Sequence, residues 1–231
     1  MRDSKNVSTA RAEYHQNNLS HLFVSIYNHP VASQLLQQIL LKTDPLMIVL
    51  EGSGYRSNID VLDTIISPRH QPQDMVSIVD INPSVVSEYQ TYCVHTFPDK
   101  KYTVLLGDIN KLPLPSHSVD LVIHNFTVNY NKFMRDDSKT IEEISRVLKL
   151  TTSACFFSVG VLYGLRVPYR THRGAEMHWL ETQYAREFRT QHLHSILFES
   201  ANKTQTTLKT EYDYRRFILI PYGSIHDTRT A

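Results

Sequence analysis

The stretch LMIVLEGSG, residues 46–54, contains five apolar residues, a glutamate and a glycine-serine-glycine turn. A short apolar run bounded by turn residues is typical of a strand buried on both faces, and such strands occur in parallel sheets covered by helices. The two glycines permit a tight turn and let a ligand approach the backbone closely. The stretch therefore predicts a buried strand with a candidate ligand site at its carboxyl end.

Predicted strands and helices alternate on both sides of this stretch. The helical patterns cover Leu19–Tyr27, Pro30–Leu40, Ile59–Ile66, Ser84–Phe97, Ser138–Leu148 and Glu176–Gln191. The strand patterns cover Leu46–Leu50, Met75–Val79, Tyr102–Leu106, Val119–Ile123, Ala154–Val159, His194–Glu199 and Arg216–Pro221, and Ser200–Tyr214 is expected to contribute to an antiparallel pair. This alternation indicates βαβ units. We expect an α/β, Rossmann-like, doubly wound sheet that is mostly parallel, with an antiparallel C-terminal edge pair and helices on both faces.

Composition excludes several classes of protein. The 231 residues carry 24 Lys+Arg and 23 Asp+Glu, a net charge of +1, so bulk attraction to nucleic acid or an anionic membrane is weak. No apolar run reaches the ~18–20 residues of a membrane span, and no secretory signal is visible. Two cysteines cannot make a disulfide framework or a metal cluster, so no metal site is expected. We expect a cytoplasmic protein.

Acidic residues follow the next two predicted strands. Asp80 lies 26 residues beyond Gly54, where a carboxylate can accept hydrogen bonds from both hydroxyls of a ribose. The alternative is that Asp80 caps the helix that begins near Pro83, although Asn82 is better placed as the cap. Asp108 follows Gly107, where it could accept from the exocyclic amine of a base or serve only as a turn residue.

Four segments in this order resemble class I S-adenosylmethionine-dependent methyltransferases, most closely the ubiquinone and menaquinone branch. They are IVLEGSG (48–54), VSIVDINP (76–83), LLGDINKLPLPSHSVDLVI (105–123) and IEEISRVLK (141–149). The resemblance implies S-adenosylmethionine as the cofactor, with the ribose held at Asp80, the adenine read at Asp108, the amino group near Glu51 and the methyl group near His124. The full set of implied cofactor-binding residues is Glu51, Gly52, Ser53, Gly54, Asp80, Ile81, Asp108, Ile109 and Asn125.

The acceptor side is less well defined. His124, Tyr130 and His172 lie where the resembling family builds its substrate pocket, and they are the candidate catalytic residues. A histidine with a pKa near ~6.5 suits a general base, although a surface or packing role is the alternative for each histidine. We expect methyl transfer to an O, N or C atom of a small molecule. Oligomerisation stays open.

The resemblance is incomplete, and two alternatives stay open. Arg56 falls where a third glycine is usual, so a methyltransferase-fold scaffold or regulatory protein is the second hypothesis. Methylation of RNA or protein is the third. Residues 1–29 precede the single domain at 30–231, and the resemblance implies that Leu19–Tyr27 is a lid helix over the cofactor. The alternative is a helix packed permanently on the sheet.

Overall fold

The computed structural model describes residues 18–52, 56–69, 71–125, 137–163, 184–205 and 210–222. The helices are α1 (Asn18–Asn28), α2 (Pro30–Leu40), α3 (Arg56–Ile66), α4 (Pro83–Thr96) and α5 (Asp137–Val147), and residues 184–190 are also helical. The strands are β1 (Met47–Glu51), β2 (Met75–Asp80), β3 (Lys101–Leu106), β4 (Leu121–Asn125), β5 (Ala154–Tyr163), β6 (Leu193–Gln205) and β7 (Thr210–Pro221).

The seven strands form one sheet in the order β3-β2-β1-β4-β5-β7-β6. Strands β1 to β5 are parallel, whereas β7 runs antiparallel to both β5 and β6. The predicted fold class is confirmed, including the antiparallel pair at the C-terminal edge. The strand order reverses between β1 and β4, and open sheets of this kind bind ligands at the carboxyl ends of the strands beside such a reversal.

Both faces of the sheet are buried, as the continuous apolar strand patterns predict. Leu50 of β1 packs into a cluster with residues of α1, α2, α3 and α4, whereas its neighbour Val49 packs on the opposite face with α5 and residues 184–190. Side chains alternate between faces along a strand, so residues paired across neighbouring strands share a face. Glu51 and the residues that pair with it across the neighbouring strands therefore lie on the same face of the sheet as Val49.

The element bounds differ from the predictions at several places; β5, for example, runs to Tyr163 rather than Val159, and α3 begins at Arg56 rather than Ile59. Strand β4 begins at Leu121 rather than Val119, because Val119 forms an isolated bridge with Leu148. The antiparallel strands β6 and β7 extend well into the stretch 200–214. Residues 184–190 lie within the predicted helix Glu176–Gln191, whose first eight residues are outside the described residues.

A buried carboxylate joins three segments at the amino edge of the sheet. Asp120 accepts hydrogen bonds from Lys42 Nζ and Lys149 Nζ, both at 2.7 Å, and from the Met47 backbone N–H at 3.0 Å. Its side chain is only 1% exposed. Burial acts to raise the pKa of Asp120, but the hydrogen bonds from Lys149, Lys42 and Met47 outweigh it and lower the pKa below its usual value.

Helix α1 packs directly on the sheet. Its apolar stripe of Leu19, Leu22, Phe23 and Ile26 is buried in the core. Arg216 of β7 donates from Nη1 to the His21 carbonyl at 3.1 Å and to Ser25 Oγ at 2.6 Å. These contacts are what the packed-helix alternative expects of this segment, and proteolysis separates that alternative from the lid role. None of the described helices is long and apolar enough to cross a membrane.

Limited proteolysis separates the two roles of α1. Because four apolar side chains are buried against the sheet, we expect equal and slow cleavage before Asn28 with and without S-adenosylhomocysteine. The lid hypothesis instead requires cleavage that S-adenosylhomocysteine suppresses. Binding of the ligand is verified separately in the same samples, so ligand-dependent protection would show that α1 opens.

Candidate active site

The turn after β1 starts at a glycine for a conformational reason. Gly52 has a φ of 60°, in the left-handed region where a side chain is disfavoured, and its N–H donates to the Val79 carbonyl at 2.9 Å. This hydrogen bond joins the carboxyl ends of β1 and β2. Ser53 and Gly54, also predicted to bind cofactor, lie outside the described residues.

Glu51 and His124 form a buried pair at the point where the strand order reverses. The parallel register places Glu51 of β1 opposite His124 of β4, and His124 Nδ1 lies 2.6 Å from Glu51 Oε2. Both side chains are fully buried. A carboxylate can only accept, so Nδ1 carries the hydrogen of this bond. Nε2 has no hydrogen-bond partner among the described residues.

Phe157 fixes the plane of the His124 ring. It follows His124 in the same row across the sheet, and the two rings stack with centroids 4.4 Å apart and planes 10° apart. Phe157 is not among the site residues predicted from the sequence. The sequence offered one clue to Phe157. Glu51, His124 and Phe157 lie at similar places near the ends of three apolar runs, and neighbouring parallel strands in equal register bring such residues side by side.

Asp80 sits at the carboxyl end of β2 with its carboxylate partly accessible. Its Oδ1 accepts the Asn82 N–H at 2.8 Å, and Oδ2 has no hydrogen-bond partner among the described residues. Asn82 caps α4, since its Oδ1 accepts the Ser84 N–H at 3.0 Å. The capping role belongs to Asn82, as the sequence predicts, so Asp80 is not needed as the cap.

Asp108 occupies the corresponding place after β3. Its Oδ1 accepts the Asn110 N–H at 2.9 Å, which makes it a turn residue, but its side chain is exposed. Two large apolar side chains accompany these carboxylates without being packed away. Ile81 is 70% exposed and Leu106 is 58% exposed. An apolar surface flanked by acceptors suits a nucleoside, whose base is flat and whose ribose supplies hydroxyl donors.

Helix α5 holds the loop that follows Asp108 in place. Arg146 of α5 donates to the carbonyls of Leu114 and Leu112 at 2.9 and 3.1 Å, and Glu143 accepts the Leu112 N–H at 2.8 Å. The two side chains also form an ion pair at 2.7 Å. The segment IEEISRVLK therefore positions the loop that follows Gly107 and Asp108.

Gly107 is required by packing against that loop. A Cβ at this position would lie 3.0 Å from Pro113 Cδ and 3.1 Å from Val79 Cγ1. We expect Gly107→Ala to lower the free energy of unfolding by about 1–2 kcal/mol, because an inserted methyl must push a proline or a buried valine aside. Urea unfolding measures the change, with Asp99→Asn at an exposed position as the control. An unchanged free energy of unfolding in Gly107→Ala would show that the loop moves aside without cost.

The guanidinium of Arg56 is directed toward α4. Its Nε lies 3.2 Å from Glu88 Oε1, and the group sits 5.5 Å from the centroid of the Tyr92 ring. The Arg56 side chain is 56% exposed. The departure from glycine at this position therefore places a cation on the outer surface of α3 and α4.

The other predicted residues divide into two groups. Ile109 follows Asp108 in the described turn and is partly buried, and Asn125 ends β4 but its side chain is outside the described part of the chain. Tyr130 and His172 lie outside the described residues, so their catalytic roles stay predictions. Within the described ranges, no group of three histidine, cysteine or carboxylate side chains could hold a metal ion.

Comparisons with known proteins agree with this geometry. Residues 67–155 match the family model described as a methyltransferase domain. Geranyl diphosphate C-methyltransferase from Streptomyces coelicolor has 13% identity and a TM-score of 0.53, with 81% of this chain and 79% of that chain covered. A methyltransferase from Methanosarcina mazei described as SAM-dependent has 12% identity and a TM-score of 0.56, with 84% and 98% covered. No curated protein matches the chain.

These findings establish the fold. Residues 67–155 match a methyltransferase domain, and the chain shares its fold with structures described as S-adenosylmethionine-dependent methyltransferases, in agreement with the enzyme class and cofactor predicted from the sequence. Nothing in the comparisons supports the ubiquinone and menaquinone branch in particular. That finer assignment stays a prediction.

Proposed function

We propose that the protein transfers a methyl group from S-adenosylmethionine to a small-molecule acceptor. The observation that carries the proposal is the grouping of Asp80, Ile81, Leu106 and Asp108 at the carboxyl ends of β2 and β3, next to the strand reversal. There, exposed apolar side chains stand beside carboxylates. When bound, the cofactor supplies a methyl group on a positively charged sulfur, which keeps the bonding electron pair when the methyl leaves.

The residues present fit this cofactor. Asp80 would accept the ribose hydroxyls, since Oδ2 is not engaged by the described residues. Ile81 and Leu106 would cover the faces of the adenine, and Asp108 would accept from its exocyclic amine. Gly52 would let the aminoacyl part approach the backbone after β1.

A small molecule is the acceptor most consistent with the net charge of the chain. The net charge of +1 gives little attraction to nucleic acid, whose binding depends on many cationic contacts. One structural neighbour is described in complex with geranyl diphosphate and S-adenosyl-L-homocysteine, so this fold accommodates small acceptors beside the cofactor. We propose the acceptor class by that analogy of fold, without transferring the acceptor itself.

Thermal unfolding tests the cofactor assignment. A ligand at ~100 times its dissociation constant stabilises the folded state by ~2.7 kcal/mol, so S-adenosylhomocysteine should raise Tm steadily with concentration. NAD⁺ is the control, because it also offers adenine and ribose but lacks the aminoacyl part. Stabilisation by NAD⁺ without any by S-adenosylhomocysteine would contradict the proposal.

A further inference from the structure

We infer that His124, held by Glu51, accepts the proton of a hydroxyl group that receives the methyl, which would make this protein an O-methyltransferase. The inference rests on the proposed function and deepens it by naming the acceptor class. Glu51 takes the role of a positioning residue here, in place of the contact with the cofactor amino group that the family resemblance implies.

First, the contact with Glu51 determines which nitrogen of the His124 ring carries the hydrogen. The 2.6 Å bond to Glu51 Oε2 places the hydrogen of the neutral ring on Nδ1, so Nε2 then carries a lone pair. Holding one nitrogen with a carboxylate is how proteins orient a histidine that takes up a proton at the other nitrogen. The stacked Phe157 prevents the ring from turning out of its plane.

The second step is the cost of keeping this pair buried. His124 and Glu51 are fully buried, and Nε2 lies without a hydrogen-bond partner among the described residues. An unsatisfied buried polar atom costs about 1–3 kcal/mol, and apolar residues of similar volume often replace buried ionic pairs without loss. An aliphatic side chain could also pack on Phe157. Packing alone therefore does not account for an imidazole at the strand reversal whose Nε2 is not bound by any of the described residues.

The third step is the proton balance. The acceptor oxygen takes the methyl group and gives its proton to Nε2, so the O–H bond breaks and an N–H bond forms with the Nε2 lone pair. The imidazole becomes positively charged, and the adjacent Glu51 carboxylate stabilises that charge. A hydroxyl needs this help because a phenol ionises near pH ~10, far above neutrality. An acceptor without a proton on its reacting atom needs no base.

The titratable groups around His124 come from three elements. Glu51 of β1 contacts the ring, and Cys155 of β5 lies near the Glu51 carboxylate. Tyr184 of the helical segment 184–190 contacts Phe157, which stacks on the ring. Burial raises the pKa of the Cys155 thiol well above its usual value, and the nearby Glu51 carboxylate raises it further, so Cys155 stays neutral. Among the described residues, Glu51 is thus the charged partner of the ring.

Transfer to simple acceptors tests the class. A set of phenols is compared with tertiary amines of similar size, using cofactor with a radiolabelled methyl group. We expect His124→Gln to reduce transfer to phenols by about 10²–10⁴-fold, the usual contribution of a general base. His95→Gln, at an exposed histidine of α4, is the matched control and should leave the rate unchanged. Equal transfer to amines, or an unaffected His124→Gln variant, would overturn the inference.

The deciding experiment needs no acceptor. S-adenosylmethionine and S-adenosylhomocysteine differ in the charge of the sulfur, so the ratio of their affinities cancels the titration of their common groups. We expect the affinity for S-adenosylmethionine relative to S-adenosylhomocysteine to rise by about fivefold or more between the acidic and the alkaline end of the range, because an imidazolium repels the sulfonium. Calorimetry from pH 5 to 9 measures both affinities.

The variants assign the effect to a residue. The ratio should become independent of pH in His124→Gln and keep its wild-type behaviour in His95→Gln. A flat ratio in the wild type, or a pH dependence that survives His124→Gln, would overturn the inference while leaving the proposed function intact. Failure of the wild type to bind either ligand would instead remove the proposed function.

Discussion

Asp120→Asn is expected to lower the free energy of unfolding by about 2–3 kcal/mol. Removing one partner of a buried ion pair costs about 3–5 kcal/mol, and the lower value applies because the lysines are partly exposed and can regain water. Their side chains are 20% and 31% exposed, against 1% for Asp120. The amide still accepts from the Met47 N–H, so the strands should keep their register.

The effect of this substitution should depend on pH. The hydrogen bonds lower the pKa of Asp120 in the folded state, so its contribution to stability is fully present above the unfolded-state pKa of ~3.9. It is lost progressively as the pH falls through the folded-state pKa. Urea unfolding should therefore show a difference in free energy of unfolding between the wild type and Asp120→Asn that is constant between pH 5 and 7 and decreases in stronger acid.

The exposed Asp99 supplies the control for Asp120. Asp99→Asn should change the free energy of unfolding by no more than ~0.5 kcal/mol, as for most surface substitutions. A gap between wild type and Asp120→Asn that persisted unchanged at pH 2 would contradict the assigned role of the Asp120 carboxylate.

Asp80→Ala is expected to reduce affinity for S-adenosylhomocysteine about 10- to 150-fold. Hydrogen bonds to a charged group contribute ~1.5–3 kcal/mol, and the proposal gives Asp80 the two ribose hydroxyls. The fold should survive, because the described partner of Asp80 is the local Asn82 N–H. Isothermal calorimetry measures the affinity, and circular dichroism verifies the fold.

Asn82→Ala separates the cap from the ligand contact. It removes the acceptor for the Ser84 N–H, so it should cost about 1 kcal/mol of stability while leaving the cofactor affinity nearly unchanged. If Asp80→Ala bound S-adenosylhomocysteine as tightly as the wild type, Asp80 would have only a structural role at the end of β2.

Much of the fold was predictable because its signals are local. The run at 46–50 is too short and too apolar for anything but a buried strand or a helix fragment, and the turn residues around it select the strand. Asn82-Pro83 marks the start of α4 for the same reason. The start of β4 was predicted too early because Val119 pairs with Leu148, a contact that no local pattern reveals.

The site was predictable in position but not in its contacts. Asp80 and Asp108 follow strands, so their location at one edge follows from parallel pairing. The Glu51–His124 bond depends on the register between β1 and β4, which are 73 residues apart at this pair and are joined by no hairpin. The sequence patterns predicted separate roles for the two residues, and only the side-by-side placement of the strands shows them as a pair.

Calorimetry of the wild-type protein with S-adenosylmethionine and S-adenosylhomocysteine tests the central claim most directly. We predict that both ligands bind at one site with 1:1 stoichiometry, and that Asp80→Ala weakens both. The absence of binding heat for either ligand at millimolar concentration, in a protein shown to be folded, would contradict the account.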